Sequence, residues 1–175
     1  MKAVFLDRDG TIIEDVNYLS RLEDIRLIDR AREALELFKD NGFKIIVVSN
    51  QSGVGRGYFS SEFVKEANNL LNEMVDGLID GFYFCPHLPE DNCSCRKPKT
   101  GMVDEAIRDF NLSKDGSFVI GDKESDVELG INAGIEPVLV LTGYGERYRD
   151  STKARLIFKD IYEAARWICQ KGSME

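Results

Sequence analysis

The sequence predicts an α/β fold: a Rossmann-like three-layer sandwich with a mainly parallel sheet, in one domain over residues 1-175. Three observations carry that prediction. Short apolar runs alternate with segments of helical period along the chain. Several of the runs are apolar at consecutive positions, as strands buried on both faces are. The polar stretches rich in chemistry follow the ends of those runs, where ligands bind in open sheets of this kind.

Ala3-Val4-Phe5-Leu6 is the first strand, and it opens directly into Asp7-Arg8-Asp9-Gly10-Thr11. Residues two apart in a strand point to one side, so Asp7 and Asp9 converge on one cation or one substrate atom if the extended geometry persists. The same five residues also read as a strand ending in an Asp-Gly turn. Ala31, Ala34, Leu35 and Phe38 then form a helical stripe that stops at Asn41-Gly42. The strand over 44-48, with Ile45-Ile46-Val47-Val48 at its centre, leads into Ser49-Asn50-Gln51-Ser52-Gly53, whose hydroxyl and backbone N-H groups suit a phosphate. Gly53-Val54-Gly55-Arg56-Gly57 looks like a nucleotide loop but lacks the Lys-Ser/Thr of a P-loop, and a flexible turn accounts for it.

Ser60 is the N-cap of a longer helix whose apolar stripe runs from Phe63 to Leu78. A strand over 82-84 reaches Cys85-Pro86-His87, followed by Cys93-Ser94-Cys95, so three cysteines and the only histidine fall within eleven residues. Three thiolates and one imidazole make the four-ligand set of a structural zinc site, with no position left for a catalytic water. Arg96-Lys97-Pro98-Lys99 comes next, two adjacent cations that suit a phosphate or a solvated surface. A helix marked by Met102, Ala106, Ile107 and Phe110 follows. The strand over 117-120 ends in Gly121-Asp122-Lys123-Glu124-Ser125-Asp126, where Asp122 adds an oxygen donor for magnesium and Asp126 supports a cation such as Lys97. A helix over 125-133, a strand over 137-141, and a helix carrying Ile161, Ala164, Ala165 and Ile168 complete the pattern.

Composition bounds the partners. Hydrophobic residues at 43% and charged residues at 31% describe a soluble globular chain. The formal charge of −8 argues against nucleic acid, and no apolar stretch is long enough for a membrane span. Met1-Lys2-Ala3-Val4 enters a strand without a signal-peptide pattern, which points to a cytoplasmic address.

An acid pair, a hydroxyl, a lysine and a further acid pair after successive strands together resemble the haloacid dehalogenase superfamily of phosphohydrolases, over residues 3-143. The zinc loop and Cys-Arg-Lys-Pro narrow the resemblance to the histidinol-phosphatase-type branch. The resemblance implies an aspartyl-phosphate mechanism with Asp7 as nucleophile and Asp9 as acid and base. It implies magnesium held by Asp7, the Asp9 carbonyl and Asp122, with Ser49 and Lys97 on the phosphoryl oxygens. Zinc would be held by Cys85, His87, Cys93 and Cys95. Asp15, Tyr18, Asn50, Arg96 and Lys123 would face the substrate, Arg96 meeting a second, non-reacting phosphate. The absence of a large cap domain leaves an open cleft for a phosphorylated sugar, and a monomer is expected. Histidinol phosphate is the alternative substrate within the same chemistry. A catalytically silent, zinc-stapled binding module is the alternative of another class.

Overall fold

The structure is a computed structural model and describes residues 1–171. Six strands, β1 (Ala3–Leu6), β2 (Lys44–Asn50), β3 (Gly81–Cys85), β4 (Phe118–Gly121), β5 (Glu136–Val140) and β6 (Leu156–Phe158), form one sheet in the order β3-β2-β1-β4-β5-β6. Every neighbouring pair is parallel. β1 is central, with Phe5 in register with Ile46 on one side and Val119 on the other. The order reverses at β1, so a crevice opens outside the carboxyl ends of β1, β2 and β4.

The alternation of side chains explains why consecutive apolar residues are required. Val4, Leu6, Ile45 and Val47 pack into one core with α1 (Ala31–Asp40), α2 (Ser61–Met74) and α6 (Ile161–Lys171). Ala3, Phe5, Ile46 and Val48 pack into a second core on the opposite face, with α3 (Gly101–Phe110) and α4 (Glu124–Ala133). Both faces of the strands are therefore dry, and a polar substitution on either would cost burial energy without a partner.

The expected elements are present with shifted ends, and the helix over 63–78 is the largest departure. It stops at Met74 because Asp76 and Gly77 take φ values of 54° and 73°. Val75 and Ile79 remain buried beyond it, so the apolar pattern continues where the helix does not. The Ser60 cap holds, its side chain accepting from the Phe63 N–H at 3.1 Å. Two elements have no signal in the sequence pattern: β6, and the four-residue helix α5 (Gly145–Tyr148). Among the described residues no helix is long and apolar enough to cross a membrane.

Candidate active site

Asp7 extends the sheet by one backbone bond past β1, its N–H donating to the Ile120 carbonyl at 3.0 Å. The chain then turns through Gly10, whose φ of 88° suits glycine. A Cβ at Gly10 would also collide with the Asp122 carboxylate, and one at Gly143 would meet the same group. Two loops, after β1 and after β5, thus omit side chains so that one buried acid can sit between them. Thr142 Oγ1 donates to the Gly10 carbonyl at 2.6 Å and ties those loops together.

Carboxylate oxygens of Asp7, Asp122 and Asp126 all lie within 4.8 Å of one another, and all three residues are buried. Lys97 balances part of that charge. Its ammonium donates to Asp7 Oδ1 at 2.9 Å, Asp126 Oδ1 at 2.7 Å and the Val48 carbonyl at 2.9 Å, which uses all three of its protons. Burial opposes the charged form of Lys97, but Asp126 and Asp7 outweigh it and raise the pKa. Burial likewise works against ionised Asp7, yet Lys97 and then Lys123 hold its carboxyl below the ordinary range.

Asp122 differs. Burial, followed by repulsion from Asp7 and Asp126, pushes its carboxyl up to about 9. Its Oδ2 accepts from the Tyr144 N–H at 2.9 Å, while its buried Oδ1 has no partner. An orphaned carboxylate oxygen beside two further carboxylates is a donor set that fits a hard cation such as magnesium.

Asp9 departs from the convergent pair that the spacing suggests. Beyond Leu6 the chain leaves regular extended geometry, and the Asp9 carboxylate lies outside the three-acid group. It is held by Arg8 Nε at 3.1 Å and Gln51 Nε2 at 3.0 Å, and it lines the cleft. Arg8 is only 2% exposed and also donates to Asn68 Oδ1 on α2 at 3.0 Å. Gln51 bridges Asp9 to Ser49, whose Oγ accepts from Nε2 at 3.2 Å. Sequence reasoning misses Arg8 and Gln51 as site residues, although both sit inside motifs that it singles out.

A cavity of about 420 Å³ opens here, within the range of small-molecule sites. Asp9, Asp15, Tyr18, Asn50, Arg96 and Lys123 line it, so the expected substrate-facing residues share one surface. Asp7, Ser49, Lys97 and Asp122 are buried. Lys97 therefore lies beneath the cleft surface, whereas its sequence neighbour Arg96 lines it. Asn50 also holds Lys97 through the backbone, its Oδ1 accepting from the Lys97 N–H at 2.9 Å and its Nδ2 donating to the Lys97 carbonyl at 3.3 Å. The amide thereby fixes the segment from which the buried ammonium projects. Ser125, from the motif after β4, also lines the cavity, as do Tyr144, Arg147 and Tyr148, which no sequence motif marks.

Cys85, His87, Cys93 and Cys95 bring four donor atoms within 4.8 Å of one another. Cys93 Sγ lies 3.5 Å from Cys85 Sγ and 3.6 Å from Cys95 Sγ, and His87 Nδ1 lies 3.4 Å and 3.3 Å from Cys85 and Cys95. Tetrahedral ligands at about 2.3 Å from zinc stand roughly 3.8 Å apart, so these separations and this donor chemistry fit that metal; the Cys85–Cys95 pair, at 2.6 Å, is closer. The loop is tied to the cleft by the Gln51 N–H, which donates to the Cys85 carbonyl at 2.7 Å, and by the Gly55 N–H, which donates to the Pro86 carbonyl at 3.0 Å.

The chain belongs to the HAD-like phosphatase family. A HAD-hydrolase-like family model matches residues 94–164. The D-glycero-beta-D-manno-heptose-1,7-bisphosphate 7-phosphatase of Haemophilus ducreyi is 36% identical, covering 95% of this chain and 98% of its own. The D-glycero-D-manno-heptose-1,7-bisphosphate 7-phosphatase of Thermosynechococcus vestitus is 37% identical, covering 95% of each. Among solved structures, the D,D-heptose 1,7-bisphosphate phosphatase of B. bronchiseptica, complexed with magnesium and phosphate, superposes with a TM-score of 0.91 at 25% identity, over 98% of this chain and 99% of that one.

Proposed function

We propose that the chain removes the 7-phosphate from D-glycero-D-manno-heptose 1,7-bisphosphate through an aspartyl-phosphate intermediate. The observation that carries the reading is the buried Asp7, ionised against Lys97 beside a cleft in which Arg96 keeps a buried, unpartnered Nη1. The near full-length likeness to heptose bisphosphate phosphatases supports the substrate.

In this reading an Asp7 oxygen attacks phosphorus, and the bond from phosphorus to the C7 oxygen breaks. Asp9, aimed by Arg8 and Gln51, protonates the leaving oxygen and then takes a proton from the water that cleaves the acyl phosphate. Ser49 and Lys97 stabilise the phosphoryl oxygens as they gain charge. Asp7, the Asp9 carbonyl and Asp122 would hold magnesium, which supplies positive charge between two approaching anions. Asp15 and Tyr18 from the segment after β1, with Asn50 and Lys123, surround the sugar, and Arg96 receives the distal phosphate. The protein acts as a monomer in the cytoplasm, as one domain.

Steady-state kinetics on heptose 1,7-bisphosphate and histidinol phosphate, with phosphorus NMR of the product, test this reading. The expected product is heptose 1-phosphate, and Arg96→Ala is expected to harm the bisphosphate more than heptose 7-phosphate, which lacks the distal group. Faster turnover of histidinol phosphate would replace the substrate, and equal loss on both sugars would remove Arg96 from the distal phosphate.

Zinc at Cys85, His87, Cys93 and Cys95 belongs to the same reading, as a staple for residues 85-95 that keeps Arg96 and Lys97 in place. Metal analysis of the purified protein is expected to give about one zinc per chain. A zinc-free sample with full activity and unchanged thermal stability would remove the staple.

A further inference from the structure

Arg147 is a cleft-lining cation that carries no ion pair among the described residues, whereas Arg149, two positions on, pairs with Glu146 at 3.5 Å. Its position is built rather than incidental. The Tyr144 N–H is spent on Asp122, and the Gly145 N–H donates to the Thr142 carbonyl at 2.9 Å. A Cβ at Gly145 would collide with the Val140 carbonyl, so α5 starts hard against the end of β5. From that anchored turn the Arg147 guanidinium lies over the Tyr144 ring, 4.7 Å from its centroid, and the Lys123 ammonium lies 5.3 Å from the same centroid. One aromatic side chain thus orders two cations on the wall formed by β4, β5 and their loops.

The two cations differ in what they are free to bind. Lys123 is partly buried. Arg147 is exposed and makes no ion pair among the described residues, and its planar fork suits two phosphate oxygens at once. In a chain of net charge −8, an arginine held on an aromatic ring at a cleft mouth is local attraction for an anion against the field of the whole molecule.

We infer that Arg147, seated on Tyr144, is a specificity-determining residue that grips the non-reacting phosphate of the substrate together with Arg96. The inference rests on the bisphosphate reading above and adds α5 to the substrate site. Arg147→Gln is expected to lower the ratio of kcat/KM for heptose 1,7-bisphosphate over heptose 7-phosphate at least about tenfold, as loss of a charge-assisted hydrogen bond does. The loss should fall chiefly on KM, with Arg147→Lys recovering part of it. A retained ratio in Arg147→Gln, or equal loss on both substrates, would overturn the assignment while leaving the substrate reading intact. A parent protein that does not favour the bisphosphate over the 7-phosphate would overturn both.

Discussion

Asp7→Asn is expected to stop phosphate release, with kcat falling on the order of 10⁴-fold or more, because the proposed covalent step loses its nucleophile. The fold should survive. The asparagine oxygen can still accept from Lys97 Nζ, now 2.9 Å from Asp7 Oδ1, and the backbone bond from residue 7 to Ile120 is untouched. Zinc content should match the parent, since the cysteine–histidine cluster hangs from β3 and not from β1. Borohydride trapping during turnover should label Asp7 in the parent and nothing in the variant; normal activity, or a label on another residue, would remove the nucleophile assignment. The substitution also has a pH signature in metal-free protein. Asp122 is raised to about 9 from 3.8, first by burial and then by Asp7. The folded state therefore binds more protons than the unfolded state between those values, and this group makes stability fall as pH rises across that window. Removing the Asp7 charge should make the fall shallower in urea titrations at successive pH values.

The elements that are legible in the sequence are those whose environment is uniform. β1 and β2 lie in the sheet interior with both faces dry, so apolar residues must run consecutively there, and they do. β6 escapes because it is a three-residue edge strand whose members are all half-buried, with no run and no alternation to detect. α5 is one turn long and carries no stripe. Site residues are legible where a strand delivers them: Asp7, Ser49 and Asp122 each follow or end a buried run. Arg8 is passed over because a cation between two aspartates reads as solvated spacing, whereas it is a buried strut from Asp9 to Asn68. Tyr144 and Arg147 come from a loop and a short helix whose place in the cleft is set by Thr142 and Gly143 against Gly10 and Asp122, and by Gly145 against the Val140 carbonyl. That is a tertiary fact with no local signature.

Lys97→Met should be more damaging to the fold than Asp7→Asn, because it removes the only cation in ion-pair contact with Asp7 and Asp126 among the described residues. Lys97 is 5% exposed and satisfies two carboxylates and the Val48 carbonyl, so methionine fills the space and leaves three acceptors without a donor. Breaking a buried pair from one side costs about 3–5 kcal/mol, and at ~2–4 °C per kcal/mol for a chain of this size the melting temperature should drop by roughly 10 °C. Turnover should fall by a further factor of about 10²–10³ as the phosphoryl oxygens lose a preorganised charge. Asp126→Asn separates the two effects. It keeps an oxygen for Nζ and leaves Lys97 paired with Asp7, so its stability cost should be smaller. Asp126 reaches the phosphoryl group only through Lys97, so its effect on kcat should be smaller as well. The Lys97 pair adds stability below pH 10.5 and loses it as pH rises through the higher folded-state pKa, so the gap between parent and Lys97→Met should persist through neutral pH in denaturant titrations. A Lys97→Met protein as stable as the parent would mean that the three acids are neutralised by other means, and the buried ammonium would then lose its structural role.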